Sequence, residues 1–170
     1  TLLSNLYMVD KENGGKADAL NVGVNFSHYP YICSLDGDSI LEHDAFLKVM
    51  KPIIDSNGEV IASGGSIRIA NGCEIQNGHM LKVGLSDHPL VVMQIIEYLR
   101  AFLMGRIGLS RHNLLLIISG AFGVFSKHWV IQAGGYKTDT VGEDMELVVR
   151  LHRLIKEQKE RKEIVYVADP

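Results

Sequence analysis

The residues of this sequence best suited to chemistry are carboxylates at the ends of apolar runs. In Leu35-Asp36-Gly37-Asp38-Ser39 an apolar run stops, and two carboxylates follow one residue apart beside a glycine that lets the backbone bend sharply. Hard carboxylate oxygens in this arrangement suit Mg2+ or Mn2+ bridging a diphosphate, and ligands of open α/β sheets collect at the carboxyl ends of strands. An Asp-Gly turn with a solvated neighbour gives the same string, and the pair alone does not choose between the two. Gly142-Glu143-Asp144 opens a helical pattern. Acidic residues in a first turn stabilise a helix by about 0.3–1 kcal/mol, which would account for Glu143 and Asp144 without any chemistry. The chemical alternative is that one of them projects into a cleft and takes a proton from a hydroxyl group.

Two further strings could contact a ligand. Gly14-Gly15-Lys16 leads into a helix containing Asn21, and offers backbone N–H groups and a lysine charge to a phosphate or ribosyl group. It lacks the Ser or Thr that follows lysine in the phosphate-loop signature, and an ordinary turn into a helix reads the same way. In Ser119-Gly120-Ala121-Phe122 small residues allow close approach to the backbone, and Phe122 could stack on a sugar ring, with a packed turn as the alternative. The glycine-lysine turn and the Asp-x-Asp turn lie about twenty residues apart across one helix and one strand, which puts both on one edge of a sheet. His28, His79, His88, His112, His128 and His152 show no metal-ligand spacing. Cys33 and Cys73 match neither a disulfide framework nor a metal site, so both are expected free, buried, and in a reducing compartment.

The elements that must position these residues follow from periodicity. Residues 6–9 read as a short strand and 10–15 as a loop. A helix follows from Lys16, then a buried strand over 31–35 ending at Asp36. Residues 41–54 have helical spacing, and 60–70 are strand-like, interrupted by Gly64-Gly65. Residues 71–86 form a polar excursion before a long helix over 89–104, which proline near its start suits. A strand is expected over 114–118, one or two helical turns over 127–132, a helix over 143–156 and a closing strand over 164–167. The alternation argues for an α/β sandwich with a largely parallel sheet, and Trp129 is expected to pack a helix against it.

Composition limits the function classes. With 170 residues, 46% hydrophobic and 22% charged, the chain suits one globular core. A formal charge of -3 with interleaved signs offers no basic stripe, so nucleic acid is not an expected partner. No run approaches the roughly 20 apolar residues that cross a bilayer, and no charged n-region with an apolar h-region opens the chain. The opening Thr1-Leu-Leu-Ser-Asn-Leu-Tyr7 reads as a chain entered in mid-domain.

Together, Asn13-Gly-Gly-Lys-Ala-Asp-Ala-Leu-Asn21, Leu35-Asp-Gly-Asp-Ser39, Ser119-Gly-Ala-Phe122, Gly134-Gly-Tyr136 and Thr140-Val-Gly-Glu-Asp-Met-Glu146 resemble the family 2 inverting glycosyltransferases of the GT-A fold. The resemblance runs over essentially the whole chain. It is strongest to membrane polysaccharide synthases of the poly-N-acetylglucosamine, cellulose and hyaluronan type. It implies a GT-A three-layer sandwich with a mainly parallel mixed sheet, incomplete at both ends. It also implies a single catalytic domain over residues 1–170 that moves a sugar from a nucleotide donor, UDP being expected, to a carbohydrate acceptor with inversion.

In that reading Asp36 and Asp38 hold Mg2+ or Mn2+ and the donor's diphosphate, while Gly15, Lys16 and Asn21 line the donor cleft. Asp144 is the base, Glu143 assists it, and Gly120, Ala121 and Phe122 border the acceptor. The first nucleotide-binding strand of the family would precede Thr1, and the Gln-x-x-Arg-Trp motif and the membrane helices would lie outside this chain. The parent is thus expected at the cytoplasmic face of the cell membrane, with this piece soluble, and its helix over 89–109 could rest on a membrane surface or pack as a core helix. A non-catalytic module of the same fold, serving as a binding or scaffold piece, is the alternative.

Overall fold

The structure is a computed structural model describing residues 5–169. Its centre is a four-stranded sheet built from β1 (Tyr31–Leu35), β2 (Val60–Gly65), β5 (Phe122–Ser126) and β6 (Glu163–Val167), in the order β1-β5-β2-β6. Alternation along β5 supplies two cores, because successive side chains leave opposite faces. Phe122 and Val124 meet Ala45, Val49 and Ile53 of α2 (Ala45–Asp55), whereas Phe125 joins a larger core on the other face. That core gathers residues of α1 (Gly15–Phe26), α5 (Lys127–Gln132) and α6 (Glu143–Gln158), and Trp129 of α5 packs into it, 6% exposed. Helix, sheet and helix layers make the sandwich.

The sheet is mixed, and antiparallel pairings outnumber parallel ones among the described strands. β5 runs antiparallel to both β1 and β2, and β2 and β6 are parallel. This corrects the expectation of a largely parallel sheet. After β2 the chain leaves by the carboxyl edge through the β3–β4 hairpin (Glu74–Gln76 and His79–Lys82) and a long helical excursion that passes β6 from Tyr166 to Lys162, and residues 114–118 lead back to the carboxyl edge. It then starts β5 from the edge at which β2 ends, so β5 runs antiparallel to it. Alternating periodicity reports helices and strands but not which edge a loop leaves from.

Other boundaries differ for local reasons. Residues 6–9 form no strand and are exposed, with no neighbour to pair with among the described residues. Residues 114–118 form no strand either, although Leu115 and Ile118 are fully buried. The long helix is a composite of α3 (Pro89–Leu99), a π-helical segment (Arg100–Arg106) and α4 (Ile107–Arg111). Its end is stitched to β6 by Asn113, whose side chain donates to Lys162 O at 2.9 Å and accepts from Ile164 N at 3.0 Å. Cys33 lies exposed on the edge strand β1, not buried, and both cysteines are free.

Candidate active site

β1, β2 and β6 all end on one edge, where β5 begins, and the candidate residues gather there. Gly15 starts α1 at φ 84, a left-handed conformation that glycine adopts without strain, and its N–H is held by Asn13 Oδ1 at 3.0 Å. The next residue, Lys16, reaches across to Asp36: Nζ lies 2.6 Å from Oδ1 and 3.9 Å from Glu143 Oε1. Asp36 is tied to the start of β5, its N–H donating to Ala121 O at 3.3 Å. Asp144, in the first turn of α6, accepts from Gly120 N–H at 3.0 Å through Oδ2 and from Met145 N–H at 2.8 Å through Oδ1. A Cβ on Gly120 would stand 2.9 Å from Lys16 Nζ and 3.7 Å from Asp144 Oδ2. Lys16, Asp36, Gly120, Ala121, Glu143 and Asp144 are therefore one cluster, and helix stabilisation alone does not account for the Asp144–Gly120 bond.

The cluster is acidic. Asp36, Glu143 and Asp144, with Asp38 exposed on the adjoining turn, set four carboxylates against one ammonium. A diphosphate approaching them meets repulsion that a divalent cation would relieve. Among the described residues no group of three or more His, Cys, Asp or Glu side chains could hold a metal by itself. Two carboxylates, Asp36 and Asp38, are the set with which Mg2+ or Mn2+ sites are completed by substrate phosphates and water. The donor chemistry thus fits the expected cation only as a site that the ligand finishes.

Two expected contacts are not where the sequence placed them. Phe122 is 4% exposed and packs edge-on against Phe46, with centroids 5.5 Å apart, so it belongs to the core beneath the site and cannot stack on a sugar. Its position as first residue of β5, facing α2, decides this. Asn21 spends its amide on the backbone of Tyr136: Nδ2 donates to Tyr136 O and Oδ1 accepts from Tyr136 N, both at 2.7 Å. It fastens α1 to the turn before α6 and does not present a free amide to the cleft.

Of the residues that hold this turn, Gly134, Gly135 and Glu146 belong to the motifs quoted above, and Arg150 does not. Gly134 and Gly135 take φ 86 and 73, and the carbonyls of Ala133 and Gly135 accept from Arg150, with Gly135 O at 2.6 Å from Nη2. Arg150 also grips Glu146 through both carboxylate oxygens and holds that carboxyl below the usual range. Burial pushes the Tyr136 phenol up to about 12, with Ser34, Asp144 and Cys33 as its polar surroundings. The i,i+4 spacing of Glu146 and Arg150 was visible, but their long-range partners were not.

Comparisons with known proteins show the family and the fold. The model of glycosyl transferase family 2 matches residues 4–130. A poly-beta-1,6-N-acetyl-D-glucosamine synthase of Staphylococcus aureus (strain COL) is 33% identical over 144 residues, 84% of this chain and 31% of the relative. The synthase of the same description from Staphylococcus epidermidis is 32% identical over 147 residues, 85% and 32% of the two chains. The chain therefore spans about a third of the length of the curated relatives it matches. Among solved structures, the mannosyltransferase PcManGT from Pyrobaculum calidifontis, in complex with GDP-Man and Mn2+, covers 94% of this chain and 36% of its own. It superposes with a TM-score of 0.61 at 16% identity, a likeness of fold, and the fold is of the GT-A type.

Proposed function

Because this chain belongs to glycosyl transferase family 2, we propose that its acidic cleft transfers a sugar from a nucleotide donor, UDP-linked, to a carbohydrate acceptor, with inversion and with Mg2+ or Mn2+. The observation that carries this reading is the cluster itself: Lys16 on Asp36, and Asp144 bonded to Gly120, bring four segments together on one sheet edge. The polysaccharide synthases to which the chain is similar, and the neighbour solved with GDP-Man and Mn2+, support the substrate class and the metal.

In this reading Asp36 and Asp38 hold the cation, which when bound offsets the charge of the diphosphate. Lys16 adds a second positive charge once it turns from Asp36 to the phosphates. Asp144 takes the proton of the acceptor hydroxyl on a lone pair that its two backbone bonds leave free, since a carboxylate offers about four acceptor positions. The hydroxyl oxygen then bonds to the anomeric carbon as the bond from that carbon to the donor's phosphate oxygen breaks. The nucleoside diphosphate departs with the electron pair, and attack from the opposite face inverts the centre. Glu143 keeps Lys16 near the cleft, and Gly120 and Ala121 leave room for the acceptor.

We also place the parent protein at the cytoplasmic face of a membrane. No helix among the described residues is long and apolar enough to cross one, but Leu90, Met93 and Ile96 of α3 are all more than 60% exposed.

Calorimetric titration of UDP with and without Mn2+ tests the donor site. Binding is expected only with the metal, and Asp38→Ala is expected to abolish it. Asp144→Asn should keep donor binding while transfer falls by about 10²- to 10⁴-fold. Metal-independent binding, or binding unchanged in Asp38→Ala, would sink the donor assignment.

A further inference from the structure

Arg106 is a cation without a counter-ion. It closes the π-helical segment and is half-buried, its guanidinium carbon 3.7 Å from the centroid of the Phe102 ring, which in turn stacks on Tyr98 at 5.2 Å. Among the described residues no carboxylate lies within ion-pair distance of it, and Nη1 is buried with no hydrogen-bond partner. A desolvated guanidinium in this condition is costly unless something supplies charge and acceptors. Burial accordingly lowers its pKa below the usual arginine value, and the titratable groups that face it are Tyr166, Asp144 and Tyr98.

Its place is fixed by the stitching of α4 to β6. Ser110 Oγ accepts from Tyr166 N at 2.8 Å, and Asn113 bridges Lys162 and Ile164. Arg106 lies one helical turn before Ser110 and so stands beside Tyr166 at the carboxyl edge of β6. The Tyr166 hydroxyl is likewise buried without a hydrogen bond of good geometry, with Ser66 as its polar neighbour. Two unsatisfied donors thus share the edge on which Asp36, Gly120 and Asp144 converge, and Asp144 is the carboxylate that bears on Arg106.

We infer that Arg106, with the Tyr166 hydroxyl beside it, is a second cationic arm of the cleft that binds phosphoryl oxygens of the nucleoside diphosphate, in addition to Lys16 and the Asp36–Asp38 turn. This rests on the donor reading above and extends it to an element that none of the sequence motifs includes. An oxygen-rich anion satisfies both donors at once, and a guanidinium held over a phenyl ring keeps N–H groups free to meet it. A purely structural arginine would instead have its terminal nitrogens paired within the fold, as Arg150 does.

The test uses this 170-residue chain with Mn2+, UDP and inorganic pyrophosphate as probes, and the variants Arg106→Met, Arg106→Lys and Tyr166→Phe. Arg106→Met should weaken both probes by about 10- to 100-fold, and Arg106→Lys and Tyr166→Phe by less, because charge-assisted bonds are worth that much. Thermal unfolding of the ligand-free protein should be unchanged or shifted upward in Arg106→Met, since an uncompensated cation is removed. If the unsubstituted chain binds both probes and Arg106→Met and Tyr166→Phe bind them equally well, the inference is overturned and the donor reading stands. If the unsubstituted chain binds neither probe, both fall. A lower unfolding temperature in Arg106→Met with undiminished binding would make Arg106 a packing residue and also overturn the inference.

Discussion

Gly120 sets how closely Lys16 and Asp144 approach each other. Its N–H holds Asp144, and its missing side chain is the space that Lys16 Nζ occupies on the way to Asp36. In Gly120→Ala the new methyl would meet Lys16 Nζ at 2.9 Å, the far end of a flexible side chain that can move away. The backbone bond to Asp144 does not depend on the side chain. The expected outcome is a small loss of stability, below about 1 kcal/mol, as for substitutions that disturb no core. The same substitution should weaken Mn2+-dependent UDP binding several-fold, because Lys16 is displaced from the Asp36 turn. Thermal unfolding and titration on one sample separate the two effects, and a large fall in melting temperature with normal binding would show that Gly120 serves the fold and not the cleft. The carboxylates were legible in the sequence because charge at the end of an apolar run is a local pattern. Phe122 and Asn21 were not, because their roles depend on which face of β5 turns to α2 and on a backbone segment 115 residues away.

At the scale of elements, the pairing of Gly64 with Gly123 shows why strands cannot be bounded by glycine alone. Gly64-Gly65 reads as an interruption of β2, yet the strand runs through both, since Ile118 fills the hollow that the glycines leave. A Cβ on Gly64 would lie 2.8 Å from Ile118 Cγ2, and one on Gly123 would lie 2.4 Å from the same atom. The fully buried Ile118 belongs to a stretch read as a strand, and its apolar content was explained by this packing, not by pairing. Adding a methyl here overfills a close-packed core, so Gly123→Ala should destabilise by about 1–3 kcal/mol. Ile118→Ala alone should cost about 2–5 kcal/mol through the cavity it opens. In the double variant the new methyl occupies part of that cavity, so Gly123→Ala should change sign and become stabilising. Denaturant unfolding of the four proteins measures this coupling. Simple additivity would mean that the sheet moves apart at Gly123 and that Ile118 does not define the hollow. Helices α1, α5 and α6 were read close to their observed limits because each has an apolar stripe of its own, whereas strand direction is set by the edge from which a loop returns.

The whole molecule exposes more surface than its mass warrants. Its accessible area is 11439 Å², against roughly 8,300 Å² for a compact monomer of 18.8 kDa. One part of this surface is apolar and continuous along α3 and the segment after β4. No residue of α3 is buried, Leu90, Met93 and Ile96 are 68%, 67% and 61% exposed, and Leu81, Val83 and Leu85 beside them are 62–78% exposed. The only charges of α3 and its first following residue are Glu97 and Arg100, which neutralise each other at 2.6 Å, so nothing on this face repels a second apolar surface. Patches of this kind on a monomer mark surfaces that meet something else. The isolated chain should therefore self-associate as its concentration rises toward roughly 100 μM, the range in which exposed apolar surface drives aggregation. It should also enhance the fluorescence of an apolar dye. Replacing Leu90, Met93 and Ile96 together by glutamine should restore a monomer in sedimentation velocity and reduce dye binding. It should leave the melting temperature nearly unchanged, because these side chains contribute little to the core. A fall in melting temperature would instead mean that the face is part of the fold, and a monodisperse parent chain would mean that its own hairpin already covers it.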